Sequence, residues 1–269
     1  MLVSEDATRQ LKEVCHMLRT SYVVMIMLVA SVLFLGCKGE GPTNPGADRA
    51  ASMTDVTTSH HEYNPEINPD DFVGVIDNPY LAFAPGKTFL YSGETEDGTE
   101  TGEVFVTFDT KVILGVTTTV VHDRVMLNGS LIEETFDWYA QDKDGNVWYF
   151  GEDSKEFKDG VIVSTEGSWE AGKDGALPGI IMLAHPKIGT TYRQEFALDV
   201  AEDMAKVLSL KKPVSIPYGD FEDCLQTMEW TPLQPGQREF KYYAPGVGLV
   251  LEFAPRGGGT RIELIDITL

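Results

Sequence analysis

The sequence predicts one mainly β domain, preceded by a short apolar leader and a polar linker. Three observations predict it. From residue 88 onward, apolar and polar residues alternate at the two-residue period of half-buried strands. Gly, Asn and Asp clusters interrupt these runs at hairpin spacing. Runs of helical period are scarce, so at most one or two short helices are expected. The chain after the linker, residues 71–269, is long enough for a single core of ordinary size.

The elements follow in order. Asn78-Pro79 marks a turn before a short first strand at residues 88–91. Residues 103–108 and 116–125 are β-branched runs, and residues 131–141 lead through Asp142, Lys143, Asp144, Gly145 and Asn146 into residues 147–150. This is the clearest hairpin, because Asp, Gly and Asn tolerate the positive φ that a tight turn needs. A second hairpin is expected across Asp159-Gly160, joining residues 155–158 to 161–164. Further strands are expected at 190–196, 213–217, 223–230, 240–243, 247–253 and 260–267. Residues 200–210 space their apolar positions between the two periods and are assigned to strand from their surroundings. Residues 175–184 are the expected short helix.

Residues 22–35 are fourteen uncharged, mostly aliphatic residues ending at Gly36-Cys37, with Arg19 upstream and Lys38 opening a Gly/Pro-rich stretch. A basic flank, a short apolar core and a small residue before the cut are the parts of an export signal. The cysteine after the cut resembles the lipobox of bacterial lipoproteins, in which that cysteine takes the lipid. A membrane span needs about 20 apolar residues, so this run is too short for one. Glu5, Asp6 and Glu13 make the first sixteen residues too acidic for an n-region, so translation is expected to start at Met17. The expected organisation is a leader at 1–36, a lipidated, disordered tether at 37–70 and the β-rich domain at 71–269. The expected location is the periplasmic or extracellular face of a membrane, with Cys37 as the anchor.

Composition narrows the partners. The formal net charge is −21, and removing residues 1–36 leaves it unchanged, since they hold three basic and three acidic residues. Such a surface repels phosphate backbones, which argues against nucleic acid as a partner. Of the three cysteines, Cys15 lies ahead of the leader core and Cys37 is the lipid site. Cys224 alone remains, so the mature chain forms no internal disulfide, and Cys224 is expected to fill a core position. A monomer is expected.

Three segments carry a family resemblance. NPYLAFAPGKTFLY at 78–91, VSIPYGDF at 214–221 and YYAPGVGLV at 242–250 resemble, in order, the opening, a middle turn and a C-terminal motif of exported bacterial proteins of uncharacterised activity. The resemblance implies a curved antiparallel sheet of the half-barrel type found in periplasmic lipoprotein-sorting proteins, wrapped around a helix or an apolar groove. It implies no catalytic residues. Against that pattern this chain carries a long insertion, roughly residues 137–198, rich in Trp, Asp and Glu.

Candidate chemistry concentrates there. Alternation over 131–141 puts Glu133, Thr135, Asp137, Tyr139 and Gln141 on one face, expected to be the solvated one. Phe136 and Trp138 are expected to face the core. Glu133 and Asp137 lie about 13 Å apart along a strand, beyond the ~5 to 9.5 Å of paired glycosidase carboxylates. Residues 142–153 place Val147 and Asp153 where an EF-hand wants Gly and Glu, so a hairpin is the better account than calcium. His122 and Asp123 are adjacent and point to opposite faces. No HExxH, CxxC or GxSxG spacing occurs, and neither a metal nor a cofactor is expected.

Aromatic residues Trp138, Tyr139, Trp148, Tyr149, Phe150, Trp169 and Tyr192 crowd the same insertion. Sheet packing explains the count, and the same rings suit a cleft for a ring-bearing ligand. Three readings follow. A lipid-anchored carrier would hold an apolar or glycan-like small molecule, with Asp137, Tyr139 and Tyr192 on the concave side and Arg193 near the rim. An acid–base hydrolase would bring together Asp137, Glu152, His185 and Arg193. An envelope interaction protein would have neither site. The carrier is the leading expectation.

Overall fold

The structure is a computed structural model that describes residues 63–256 and 259–269. The leader, Cys37 and most of the expected tether lie outside the described residues. Contacts with the domain reach back to Tyr63, ahead of the expected start near Asp71. The Tyr63 hydroxyl donates to the Pro178 carbonyl at 2.7 Å, and its ring packs edge-on against Phe196.

Sixteen strands lie among the described residues, with one 3₁₀ turn at Pro69–Asp71. The first eight are β1 (Phe72–Val73), β2 (Thr88–Thr95), β3 (Gly98–Ile113), β4 (Val116–Leu127), β5 (Ser130–Asp142), β6 (Val147–Lys158), β7 (Val161–Ser164) and β8 (Trp169–Glu170). The rest are β9 (Leu177–Met182), β10 (Thr191–Arg193), β11 (Glu195–Phe196), β12 (Met204–Ile216), β13 (Gly219–Trp230), β14 (Glu239–Ala244), β15 (Gly248–Ala254) and β16 (Thr260–Thr268). Every pairing is antiparallel, in the order β10-β12-β13-β14-β15-β16-β2-β3-β4-β5-β6-β9-β11.

The two ends of that order are consecutive in the chain. Thr191–Arg193 pairs with β12 on one side, and Glu195–Phe196 pairs with β9 on the other. Residues 191–196 are therefore a strap across the seam, and the curved sheet goes beyond a half-barrel to near closure. Gly179 makes this possible. A Cβ at that position would stand 2.2 Å from the backbone of Gln194, so only glycine lets the strap approach β9. Closure removes exposed edges and leaves the barrel interior as the core.

The expected hairpins form. Asp142 closes the β5–β6 turn by accepting from the Asn146 backbone at 2.8 Å, the Asn146 amide at 2.9 Å and the Trp148 indole at 2.8 Å. The 200–210 segment is strand, as part of β12. Residues 175–184 correct the expectation of a helix: residues 177–182 are β9, paired with β6. An apolar run of six residues is ambiguous between helix and strand, and here the unpaired edge of β6 decided it.

The first and third resembling motifs meet at one end of the barrel. Asn78 is buried and donates to the carbonyls of Gly145 (2.9 Å) and Leu183 (3.2 Å) while accepting from the Tyr80 amide at 2.9 Å. The Gly246 amide donates to the Pro79 carbonyl at 2.7 Å, joining the first motif to the third. Instead of a helix, side chains of the strands fill the interior among the described residues. Cys224 is fully buried, and burial with the nearby Asp223 carboxylate pushes its thiol up to about 11.

Candidate functional site: an acidic barrel interior

The inner face of β5 is its polar one. Glu133, Thr135, Asp137, Tyr139 and Gln141 are all buried. The expectation that Phe136 faces the core is overturned, while Trp138, on the same face of β5, is buried in the hydrophobic cluster. Phe136 lies on the outer face, stacked on His122 with 4.3 Å between centroids, and His122 reaches Glu134 at 3.0 Å. Trp138 is covered from outside by the Lys111 ammonium, 3.1 Å from its ring centroid, which also donates to Glu170 at 2.8 Å. Alternation was read correctly and its direction was not. Rings capped by long basic side chains can face outward, because the methylene stems cover them.

Register then assembles the site. Asp137 and Glu152 are direct cross-strand partners, and Tyr139 pairs with Tyr149. The two tyrosines are three residues from Glu152 on one strand and two from Asp137 on the other, so β6 carries a bulge at Phe150-Gly151. Gly151 has φ 127°, and a Cβ there would meet the Trp169 carbonyl at 2.3 Å. The bulge keeps Tyr149 and Glu152 both inside, which regular alternation would forbid, and turns Phe150 onto Phe72 of β1 at 5.5 Å.

The inner surface here is a stack of rings and carboxyls. Tyr139 lies over Tyr149 at 4.8 Å, and Trp169 meets Tyr149 edge-on at 5.4 Å. The Tyr149 hydroxyl donates to Asp137 at 2.6 Å, and the Trp169 indole donates to Glu195 at 3.0 Å. Glu133 accepts from Thr135 at 3.2 Å. Asp123 enters from β4. None of these five carboxylates forms an ion pair with a lysine or arginine among the described residues. Burial raises all five, and neighbouring carboxylates add to it for all but Asp137, whose two tyrosines oppose the rise. Glu133 is pushed up to about 8.

The opposite wall carries the one buried ammonium among the described residues. Lys241 on β14 lies 3.1 Å from Glu229 and 3.9 Å from Glu252. Glu229 also accepts from Thr227 at 2.7 Å and from Tyr243 at 3.4 Å. Burial opposes the charge of Lys241, but Glu229, Glu252 and Glu239 outweigh it and hold its pKa above the ordinary lysine range. Between the two walls sits Glu100, fully buried, pushed up to about 8 by burial and by Glu239.

The residues singled out in the sequence separate accordingly. Asp137 and Tyr139 adjoin within the acidic wall. Tyr192 pairs with Ala205, which pairs with Glu229, so its ring turns to the Lys241 wall. There burial and Glu229 raise its hydroxyl. Arg193 holds its guanidinium 4.8 Å over Phe196 and 5.4 Å from Tyr63, with Nη1 buried. His185 is exposed on the loop after β9, so of the four residues of the hydrolase reading only Asp137 and Glu152 meet. Trp169 belongs to the rings expected to suit a cleft, whereas Glu195 and Lys241 were not singled out as site residues. The inward direction of Glu195 depends on the strap, which leaves no periodic trace, while Lys241 follows the alternation of β14. The interior is tightly filled: a void of about 10 Å³ lies beside Asp123, lined by Leu81, Phe83, Phe89, Tyr91 and Val104.

No family model matches the sequence, and no curated protein matches it. Solved structures with partial likeness include a candidate exported protein with a YmcC-like fold from Bacteroides fragilis. It is 15% identical with a TM-score of 0.40, covering 69% of this chain and 97% of that one. A candidate lipoprotein from Parabacteroides distasonis overlaps at 9% identity and TM-score 0.34, over 71% of this chain and 99% of its own. A beta-barrel-like protein of a domain of unknown function from Brucella abortus overlaps at 11% identity and TM-score 0.38, over 67% and 95%. TM-scores below 0.5 leave the fold to rest on the strands described above.

Proposed function

We propose that this chain is an exported, lipid-anchored binding module that holds a small molecule inside its barrel. The observation that carries the reading is the direction of its polar groups. Asp137, Tyr139, Tyr149, Glu152, Trp169 and Glu195 face inward, where a barrel built only for stability would place aliphatic residues. Aromatic faces with a few convergent polar groups are the usual lining of a ligand site. Such a lining favours a polar, ring- or charge-bearing ligand over the purely apolar cargo that the lipoprotein-sorting resemblance implies. The closed barrel leaves room for little more than a water, so access requires movement. The strap at residues 191–196 is the natural gate, because it holds β12 by three residue pairs and β9 by two. A hydrolase reading is less well supported, since His185 is exposed on the loop after β9 and Arg193 lies over Tyr63 and Phe196, away from Asp137 and Glu152.

The test is native mass spectrometry of the full chain extracted gently from its membrane. A bound small molecule that leaves on denaturation is the expected result, and an empty barrel in every preparation would refute the reading. Anchoring is checked separately: Cys37→Ser should move the protein to the soluble fraction, because a thioether-linked lipid needs the sulfur.

A further inference from the structure

The two walls of the interior differ in charge balance, and that difference points to a ligand class; the inference rests on the binding reading above. On one wall Lys241 sits between Glu229 and Glu252 at 3.1 and 3.9 Å, with Tyr243 hydrogen-bonded to Glu229. On the other wall the carboxylates of Asp137, Glu152 and Glu195 surround tyrosine and tryptophan rings with no ammonium or guanidinium paired to them among the described residues. We propose that this second wall takes the ammonium group of a small alkylamine, in the role that the Lys241 side chain fills across the barrel.

The independent observation is Glu152. It is 1% exposed, and neither carboxylate oxygen has a hydrogen-bond partner. The Tyr149 hydroxyl lies near enough to oppose the rise in the Glu152 pKa, but it has one hydrogen, and that hydrogen is directed to Asp137 at 2.6 Å. Glu195 is similar: its Oε2 accepts from Trp169, while its buried Oε1 has no partner. A buried carboxylate oxygen without a donor carries a large desolvation cost. An ammonium brings three donors and the missing charge at once. The stacked Tyr139 and Tyr149 rings and Trp169 add cation–π attraction. A divalent metal fits less well, because no group of three or more His, Cys, Asp or Glu among the described residues has metal-holding geometry. The phenyl ring of Phe83, 5.3 Å from Tyr139, offers the alkyl chain an apolar wall.

The experiment uses the full chain in detergent at about pH 8, where competing protons are scarce. Thermal unfolding and calorimetric titration are run with butylammonium and 1,4-diaminobutane as probes. Calcium chloride, methyl glucoside and laurate serve as comparisons at matched ionic strength. Amines should raise the unfolding midpoint and the comparisons should not. In Glu152→Gln, folded by circular dichroism, apparent amine affinity should drop roughly tenfold or more, the size of one lost charge-assisted hydrogen bond. Glu195→Gln serves the same purpose if the first variant does not fold. Amine binding unchanged in a folded variant overturns the inference. Binding of laurate or methyl glucoside with no response to amines also overturns it, while leaving the binding module intact. No response to any probe, together with no co-purifying molecule, removes both.

Discussion

Two walls of one barrel interior meet the same difficulty in different ways. Around β13 to β15, carboxylates are buried together with a lysine, and Lys241 gives Glu229 and Glu252 a counter-charge. Around β5, β6 and β11, carboxylates are buried with hydroxyl, indole and backbone donors but with no paired lysine or arginine among the described residues. The first wall supplies one ammonium to its carboxylates, although burial still raises Glu239 and Glu252. The second is stable only while protons, or a bound cation, neutralise it. The difference separates a structural use of buried charge from one that awaits something from outside.

The largest way to expose that difference is pH. Glu133 and Glu100 are each pushed up to about 8 by burial, far above the ordinary carboxylate value near 4.3 of an unfolded chain. The folded protein therefore holds more protons than the unfolded chain from about pH 4 to about pH 8. Their contribution is fully present below about pH 4 and is lost as pH rises through about 8. Unfolding free energies from denaturant titration across that window should fall by roughly 4 kcal/mol or more toward the alkaline end. A midpoint that rises from pH 5 to pH 8 would mean that the acidic wall is neutralised by something other than protons.

Breaking the balanced wall comes next. Lys241→Met keeps the chain length and leaves Glu229 and Glu252 without their ammonium. A loss of about 3–5 kcal/mol at neutral pH is expected in urea titration, the usual cost of removing one partner of a buried pair. Partial recovery at acid pH should accompany it, because the orphaned carboxylates then protonate.

The strap is tested by Gly179→Ala. Its Cβ would lie 2.2 Å from the Gln194 backbone, so the β9–β11 pairing must open or shift. Overpacking of this kind costs about 1–3 kcal/mol. Faster hydrogen exchange at residues 191–196, with the β3–β4 amides unchanged, would show that the seam is a local opening unit. The smallest effect is expected for Glu152→Gln without ligand. It removes a group that burial holds neutral, so stability near pH 5 should stay within about 1 kcal/mol of the parent, with less alkaline loss. Equal alkaline loss in parent and variant would place the titration elsewhere.

What was legible in the sequence was local. The β5–β6 and β6–β7 hairpins follow from Asp, Gly and Asn positions, whose backbone preferences act over a few residues. The period-two run over 131–141 correctly placed Asp137 with Tyr139, and the run over 116–125 placed His122 opposite Asp123. The alternation could not say which face was inside. Phe136 points outward beneath His122 and Lys155, while Trp138 on the same face is buried beneath Lys111.

The sequence by itself determined the class of fold, the turns and the residue sets that share a face, since each depends on local backbone preference and period. Tertiary structure decided the rest. Closure of the sheet needed the strap to reach β9 over Gly179, a contact between segments fifteen residues apart. The Gly151 bulge brought Glu152 inside beside Tyr149, breaking the period from which its direction would be read. The pairing of Lys241 with Glu229 and Glu252, and its absence from the opposite wall, depends on cross-strand register set by the whole barrel. Charge balance in an interior is a property of neighbours in space, and no one-dimensional pattern records it.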